Sequence, residues 1–577
     1  MKQVCINIIL LTVILTGELF AATHVYEVVE ETFTANKTYA NPYIDVDLWV
    51  TLNGPGGSYN IPAFWDGGGT FRVRLVATQP GNWTWSTGNQ TGDNGLDNQT
   101  GAFKAVAWTG DEIEANPNRR GFIRVASNNH TLEYGDGTPF FYTGDTWWST
   151  LTRIYAWGSD DCLANISFQK AIAQRKAQGF NGINIIASFP SDKIKGIWDK
   201  SSHGEKVAED GSTPFEIADP QDAAHGVDYT RINPRYWQQA DRKMKHLWDQ
   251  GFVPFIESVR RHEQWYSENP AERKAFVNYI RYLWARYGCY NMIFSWVHWD
   301  WDPEVLDVWK AMVNMAYREL GTMPYGQPRT AMAWGSSLTT WLAEPDALPH
   351  GALDVHNVSN RYRDYIQFGL LRDIFYDGTP KPGFNVEPFY PGWGKGNTPE
   401  PGLDECTKAQ FLMYGSVLNG GFVGHAWGDA YYAGVATTPI PGRGGHFPAS
   451  DPHRNGFNRW CAASMGKLKD FILDSGHDYR TLKPASVTHM MTTPKEWRAL
   501  ALSSDLSQGL GFIAANYVKA DIKDLIPNTQ YKVEWWNIDH GGWTNMSYRS
   551  TDAYGNLIMP NKPDSNGWAF RILKASN

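Results

Sequence analysis

Eight short apolar segments, each followed by a longer amphipathic one, restrict what this chain can fold into more than any other feature. In chain order they read PFFYTGD, GINIIAS, FVPFIES, MIFSWVHWD, RTAMAWGS, ALDVHN, GFNVEP and GFVGHAW. Between them stand helix candidates such as FQKAIAQRKAQGF, YWQQADRKMKHLWDQGF, RKAFVNYIRYLWARYG and EVLDVWKAMVNMAYRELG, each ending near a glycine. A parallel strand covered on both faces reads as a continuous apolar run, and its crossover helix reads at a period of 3.6. Strand alternating with helix eight times predicts an α/β fold, a (β/α)8 TIM barrel. The helix after RTAMAWGS has the weakest pattern of the set.

The flanks follow another rule. Residues 23–113 carry short alternating segments such as TFRVRLVA between glycine-rich turns, which predicts an N-terminal antiparallel β-sandwich. EANPNRRG, with its Asn, Pro and charge, marks the boundary, and the barrel is expected over residues 114–480. Residues 481–577 return to the short-strand pattern in RALALSS, GLGFIAANY, QYKVEWWNI and GWAFRILKA, predicting a second β-sandwich. Residues 1–22 have one Lys, an apolar stretch from Val4 to Leu15 and small residues at Ala21 and Ala22. This reads as a signal peptide of a secreted or periplasmic protein and is too short for a membrane span. Beyond it lie Cys162, Cys289, Cys406 and Cys461, whose wide spacing has no metal-ligand pattern and leaves buried thiols and disulfides equally open.

A net charge of −8 with no basic run argues against a nucleic-acid partner. The 27 Trp and 28 Tyr suit stacking on sugar rings, and equally suit the cores of a large β-rich protein. No G-x-S-x-G, P-loop or H-E-x-x-H motif occurs, so neither cofactor nor metal is expected. A TIM barrel carries its chemistry at the C-terminal ends of its strands. Those ends present Asp145 with Trp147, Ser188 with Phe189, Glu257, then His298, Asp300 and Asp302. They continue with Trp334 and Ser336, His356 and Asn357, Glu387 followed by Tyr390, and His425 with Trp427. Strands four and seven face each other across such a mouth, which makes Asp300 and Glu387 the pair able to flank a glycosidic bond. One protonates the leaving oxygen while the other attacks the anomeric carbon. Asp302, directly before Pro303, reads as a helix cap. Glu257 is expected to orient substrate, with Asp145, Trp147, Arg260, His298, Trp334, His356, Tyr390, His425 and Trp427 as further binding residues. Basic loops hold Arg260, Arg261 and His262; Arg361 and Arg363; and Arg443, His446, His453 and Arg454. Guanidinium pairs bidentately with sulfate or carboxylate, so these loops point to an anionic polysaccharide unless local acids such as Asp364 and Asp451 take them up. Trp265 and Trp393 add candidate stacking platforms.

PFFYTGDTWWSTLTR, YNMIFSWVHWDWDP, KPGFNVEPFY and NGGFVGHAWG, in that order, resemble the apiosidase-like glycoside hydrolases. In that family the fourth strand reads like N-V-I-W-I-L-G-G-D-x-N-P and the seventh like K-P-x-x-x-x-E-P-x-Y. The resemblance implies a retaining glycosidase with Asp300 as general acid/base and Glu387 as nucleophile. NPYIDVDLWVTL and FWDGGGTFRVRLVATQPGNWTWST resemble the sandwich that often precedes these barrels, and the C-terminal part resembles a sandwich labelled collagen-binding. His298 and Trp299 replace the family's glycine pair before the acid, which crowds it and adds an imidazole. Retention wants the carboxyls about 5–5.5 Å apart and the acid's proton held by its surroundings, here expected from Trp299, Trp301 and Glu387. Two other functions fit the same residues: a carbohydrate-binding protein without activity, and a polysaccharide lyase using Tyr or His as base.

Overall fold

The structure, a computed structural model, describes residues 22–88, 91–162, 166–188, 207–217, 227–261, 270–300, 303–344, 346–359, 364–391, 404–429, 457–491 and 497–575. Its centre is one eight-stranded sheet made of β1 (Tyr142–Thr146), β2 (Gly182–Ser188), β3 (Phe255–Val259), β4 (Ile293–His298), β5 (Arg329–Met332), β6 (His356–Val358), β7 (Gly383–Asn385) and β8 (Gly424–Trp427). Each overlaps one of the eight apolar segments. The order is β5-β4-β3-β2-β1-β8-β7-β6, with every paired neighbour parallel. The two ends meet where the carbonyl of Arg329 accepts from the backbone N–H groups of Asp354 (2.7 Å) and Val355 (3.1 Å). The sheet thereby closes into the (β/α)8 barrel.

One helix follows each strand: α1 (Phe168–Ala177), α2 (Pro234–Asp249), α3 (Pro270–Tyr287), α4 (Leu306–Leu320), α5 (Ser337–Trp341), α6 (Ile366–Phe375), α7 (Glu405–Leu418) and α8 (Ser464–Leu473). Local chemistry sets their ends. Asn233 caps α2 through the N–H of Arg235, Pro234 fits its first turn, and Gly251 (φ 82°) ends the turn beyond it. Asp404 caps α7 through the N–H groups of Cys406 and Thr407. The weak segment after β5 makes only five residues of helix.

Inside the barrel, Tyr142, Phe255, Ile293, Met332, Phe384 and Val386 pack together. The Tyr142 ring occupies space left by two glycines, since a Cβ on Gly144 or Gly182 would come within 2.3 or 2.1 Å of it. Its hydroxyl donates to Asn184 Oδ1 at 2.6 Å. Three short antiparallel strands, Arg124–Val125, Leu132–Glu133 and Pro139–Phe140, add Leu132 and Phe140 to this core from the N-terminal end. Burying side chains of this size contributes roughly 1.5–3 kcal/mol each, so the barrel is plugged rather than porous.

The N-terminal unit is a sandwich. Strands Ala22–His24, Thr100–Val106, Gly81–Thr87, Trp49–Gly54 and Gly57–Pro62 form one sheet, and Val28–Thr34, Thr70–Val76 and Phe64–Gly67 form the other. Val50, Leu52, Phe71, Val73, Leu75 and Trp83 fill the space between them. An ion network fastens it to the barrel. Arg74 lies 2.6 Å from Asp241 on α2, while Arg286 on α3 lies 2.7 Å from the same carboxylate and 2.9 Å from Asp66. Both guanidiniums are buried.

At the C-terminus, strands Leu482–Pro484, Arg498–Ser503, Gln508–Ile513, Trp568–Lys574, Gln530–Asn537 and Trp543–Ser550 form one antiparallel sheet in that order. One face, with Phe512 and Trp536, joins the barrel core against Phe411 and Tyr414 of α7. The other, with Leu500, Val533, Trp535 and Phe570, lies under a second layer in which Ile522 bridges Met490 and Leu557. Cys406 in α7 is disulfide-bonded to Cys461 before α8, and Cys162 and Cys289 are free thiols. Closing a loop with a sequence separation of 55 restricts the unfolded chain by about 4 kcal/mol on the loop-entropy estimate. Cys406→Ser is therefore expected to unfold at a lower temperature than the parent, and a thiol reductant should lower the parent's midpoint but not the variant's. Equal midpoints for parent and variant under oxidising conditions would refute a stabilising role.

Candidate active site

Three strand ends bring carboxyl groups together. Glu257 lies in β3 with Ile186 and Ser295 beside it in register, on the inward face that Asn184 shares. In β4 the register shifts between Ser295 and His298, and such an irregularity re-aims the side chain that follows it. His298 Nδ1 lies 2.8 Å from Glu257 Oε2, and its Nε2 lies 3.8 Å from Asp300 Oδ1. Asp300 in turn pairs with Arg260 at 3.2 Å and with Arg261. The backbone holds these arginines, because Arg260 bridges His298 in parallel and Arg261 N–H donates to the His298 carbonyl at 3.0 Å. Glu387 follows β7 and is buried.

Burial pushes the Glu257 carboxyl well above the ordinary range, the charge of Glu387 adds to the push, and Arg260 opposes it. Two carboxyls that close do not ionise together cheaply. Glu257 Oε1 has no hydrogen-bond partner among the described residues. Aromatic walls complete the mouth. Trp148 meets the His298 ring edge-on at 5.4 Å and the Tyr390 ring at 6.2 Å. The Tyr390 hydroxyl lies 2.8 Å from Thr146 Oγ1, and its ring passes over Gly428, where a Cβ would come within 2.5 Å.

Glu387, Asp300, Glu257, His298, Arg260 and Tyr390 are thus brought together, and several other expected residues are not. Asp145 is fully buried on the helix side of β1, where it accepts from Arg175 Nε of α1 (2.6 Å) and Trp147 Nε1 (2.7 Å). The register places Trp427 beside Asp145 and His425 beside Thr143, so both share that outward face. His356 opens β6 instead of ending it, and its Nδ1 lies 2.9 Å from Ser337 Oγ of α5. These four, with Trp147, are corrections: they support the wall of the barrel. Trp334 is half-buried just past β5. Trp148 was missed, although stepping by two from inward-facing Tyr142 through Gly144 and Thr146 reaches it. Phe189, His262, Trp265, Trp301, Asp302, Arg361, Arg363, Trp393, Arg443, His446, Asp451, His453 and Arg454 lie outside the described residues. Among the described residues no group of His, Cys, Asp and Glu is arranged to hold a metal ion, and no helix is long and apolar enough to cross a membrane.

Comparison with known proteins agrees with this fold. The family profile described as apiosidase-like, catalytic domain matches residues 126–476, and one for a domain of unknown function, DUF5060, matches residues 22–90. A candidate glycoside hydrolase from Bacteroides vulgatus ATCC 8482 superposes with a TM-score of 0.64 at 17% identity, covering 96% of this chain and 100% of that one. A family 5 glycoside hydrolase from the same organism gives 0.59 at 16% identity, covering 79% of this chain and 94% of its own. A third structure, titled glycoside hydrolase, gives 0.57 at 16%, covering 80% and 99%. No curated protein sequence matches the chain.

Two expectations follow from the buried wall. Asp145→Ala leaves the buried Arg175 guanidinium without its carboxylate, at a cost of about 3–5 kcal/mol. Denaturant unfolding should show that loss, and Trp148→Ala, which empties a buried indole site, should lower both stability and substrate affinity. Burial pushes His425 down to about 3, and burial with Lys381 nearby does the same to His356. In the unfolded chain both titrate near 6.5, so below that pH the unfolded state takes up protons that the folded state refuses. This part of the stability is complete above pH 6.5 and falls as pH drops toward 3, by about 1.4 kcal/mol per pH unit for each histidine. His425→Gln should make that fall shallower by about one proton, read from denaturation curves between pH 7 and 4.

Proposed function

The chain belongs to the apiosidase-like family, and from that premise we propose that it is an exported, retaining glycoside hydrolase acting on an anionic polysaccharide. The observation that carries the proposal is the convergence of acids from three strand ends: Glu257 and Asp300 flank the His298 imidazole, and the charge of Glu387 acts on Glu257. Glu387 attacks the anomeric carbon as the glycosidic C–O bond breaks, and Asp300 gives its proton to the departing oxygen. In the second half Asp300 takes a proton from water, whose oxygen attacks the same carbon and releases Glu387. Glu257 carries a proton in this scheme and leaves the negative charge to Glu387. His298, standing where the family has glycine, is held by Glu257 and positions Asp300.

An anionic sugar would meet Arg260 and Arg261 at the mouth, where both pair with the local acid Asp300. A sulfate or uronate group entering the mouth would compete for one of them with a bidentate fit. Export is supported by the N-terminal segment 1–22 and by the Cys406–Cys461 disulfide, a bond that persists in oxidising compartments.

Purified protein assayed on sulfated and uronate-containing polysaccharides of algae and plants should release reducing ends, with desulfated or carboxyl-reduced forms cut less. Nuclear magnetic resonance of the first product should show the starting anomer. Asp300→Asn should lower kcat by about 10²–10⁴-fold. Full activity in Glu387→Gln would sink the reading, and an ultraviolet-absorbing unsaturated end would replace it with a lyase.

A further inference from the structure

A cleft of about 450 Å³ opens at the rim of the barrel opposite the mouth, where the N-terminal sandwich meets α3 and the turn after α4. That size is within the usual range for small-molecule sites, roughly 300–1,000 Å³. Two indoles line it. Trp49 starts its strand on the outer side of the sheet, since Val50 and Leu52 alternate into the sandwich core, and it is only partly buried. Its ring rests on Gly88, where a Cβ would come within 2.3 Å, so any larger residue would displace the indole. Trp284 on α3 is 3% exposed, and its Nε1 has no hydrogen-bond partner among the described residues. That nitrogen is itself sealed from solvent, so this indole forms the floor of the cleft and offers a ligand packing, not a donor.

The remaining groups narrow the ligand. Asn60 and Asn278 line the cleft with amides, and its four charges cancel as the pairs Asp47–Arg281 and Lys274–Glu319. A strong anion would meet two carboxylates there, and an apolar ligand would have to desolvate all four charges. A neutral sugar chain meets neither obstacle: a pyranose face stacks on an indole, and its hydroxyls bond amides and carboxylates. We infer that this cleft is a second, non-catalytic saccharide site, with Trp49 as stacking platform and the Asn60 and Asn278 amides as hydrogen-bonding groups. It rests on the reading above only for the ligand class. Neutral stretches or branches of the polysaccharide would sit here while charged units enter the mouth.

The test uses full-length Glu387→Gln, titrated calorimetrically with neutral gluco-, xylo-, manno- and galacto-oligosaccharides of four to six units. At least one should bind, and adding Trp49→Ala should weaken it by about tenfold. Asn278→Ala, which removes one amide from the lining, should weaken it by a smaller factor. With Glu387 intact, both variants should retain the parent's kcat on short substrates. Binding unchanged in both variants, or no binding by any of the four series, would overturn the site. Neither result would touch the mouth, whose own test is the activity of Glu387→Gln.

Discussion

Closing eight very short parallel strands into a ring is the constraint on which the rest of this molecule depends. β6 and β7 have three residues each and β2 has seven, so each strand sends only one to three side chains inward. A step of one residue exchanges a side chain that reaches the mouth for one locked against a helix. Asp145 and Thr146 are neighbours in sequence, yet one is sealed beneath α1 with Arg175 and the other touches Tyr390. The irregularity in β4 matters for the same reason, because it is where His298 enters the cluster of acids.

The mouth is also an electrostatic balance. Three carboxyl groups and two guanidiniums share a space closed by indole and phenol rings, and the deepest acid is the one driven to its neutral form. Position therefore assigns different tasks to chemically similar groups, since depth favours the proton. The imidazole between them touches both kinds of environment.

All eight strands and their order of appearance were legible in the sequence, because buried parallel strands announce themselves as apolar runs. That same uniformity hid which side each residue faces. GINIIAS and GHAW are buried on both faces, so hydrophobicity carries no alternation from which to tell a mouth residue from a wall residue. Hence the pattern puts Trp147, His425 and Trp427 at the mouth and gives no sign of Trp148. His356 is misplaced for a different reason: the pattern ends ALDVHN at His356 and Asn357, whereas β6 begins at His356. The Cys406–Cys461 pairing depends on α7 and α8 being neighbours, which spacing along the chain does not encode.

The shared carboxylate of Asp241 bears on how this architecture can be divided. It pairs with one guanidinium from the sandwich and one from α3, and a hydroxyl from the barrel, Tyr325, accepts the N–H of Val76 on the same seam. Cutting the chain between the two units would strand Arg286 beside an emptied surface and bare the apolar residues around it. The sandwich is better regarded as part of the enzyme's wall than as cargo, and recombination that shuffles such domains would have to carry both sides of the seam together.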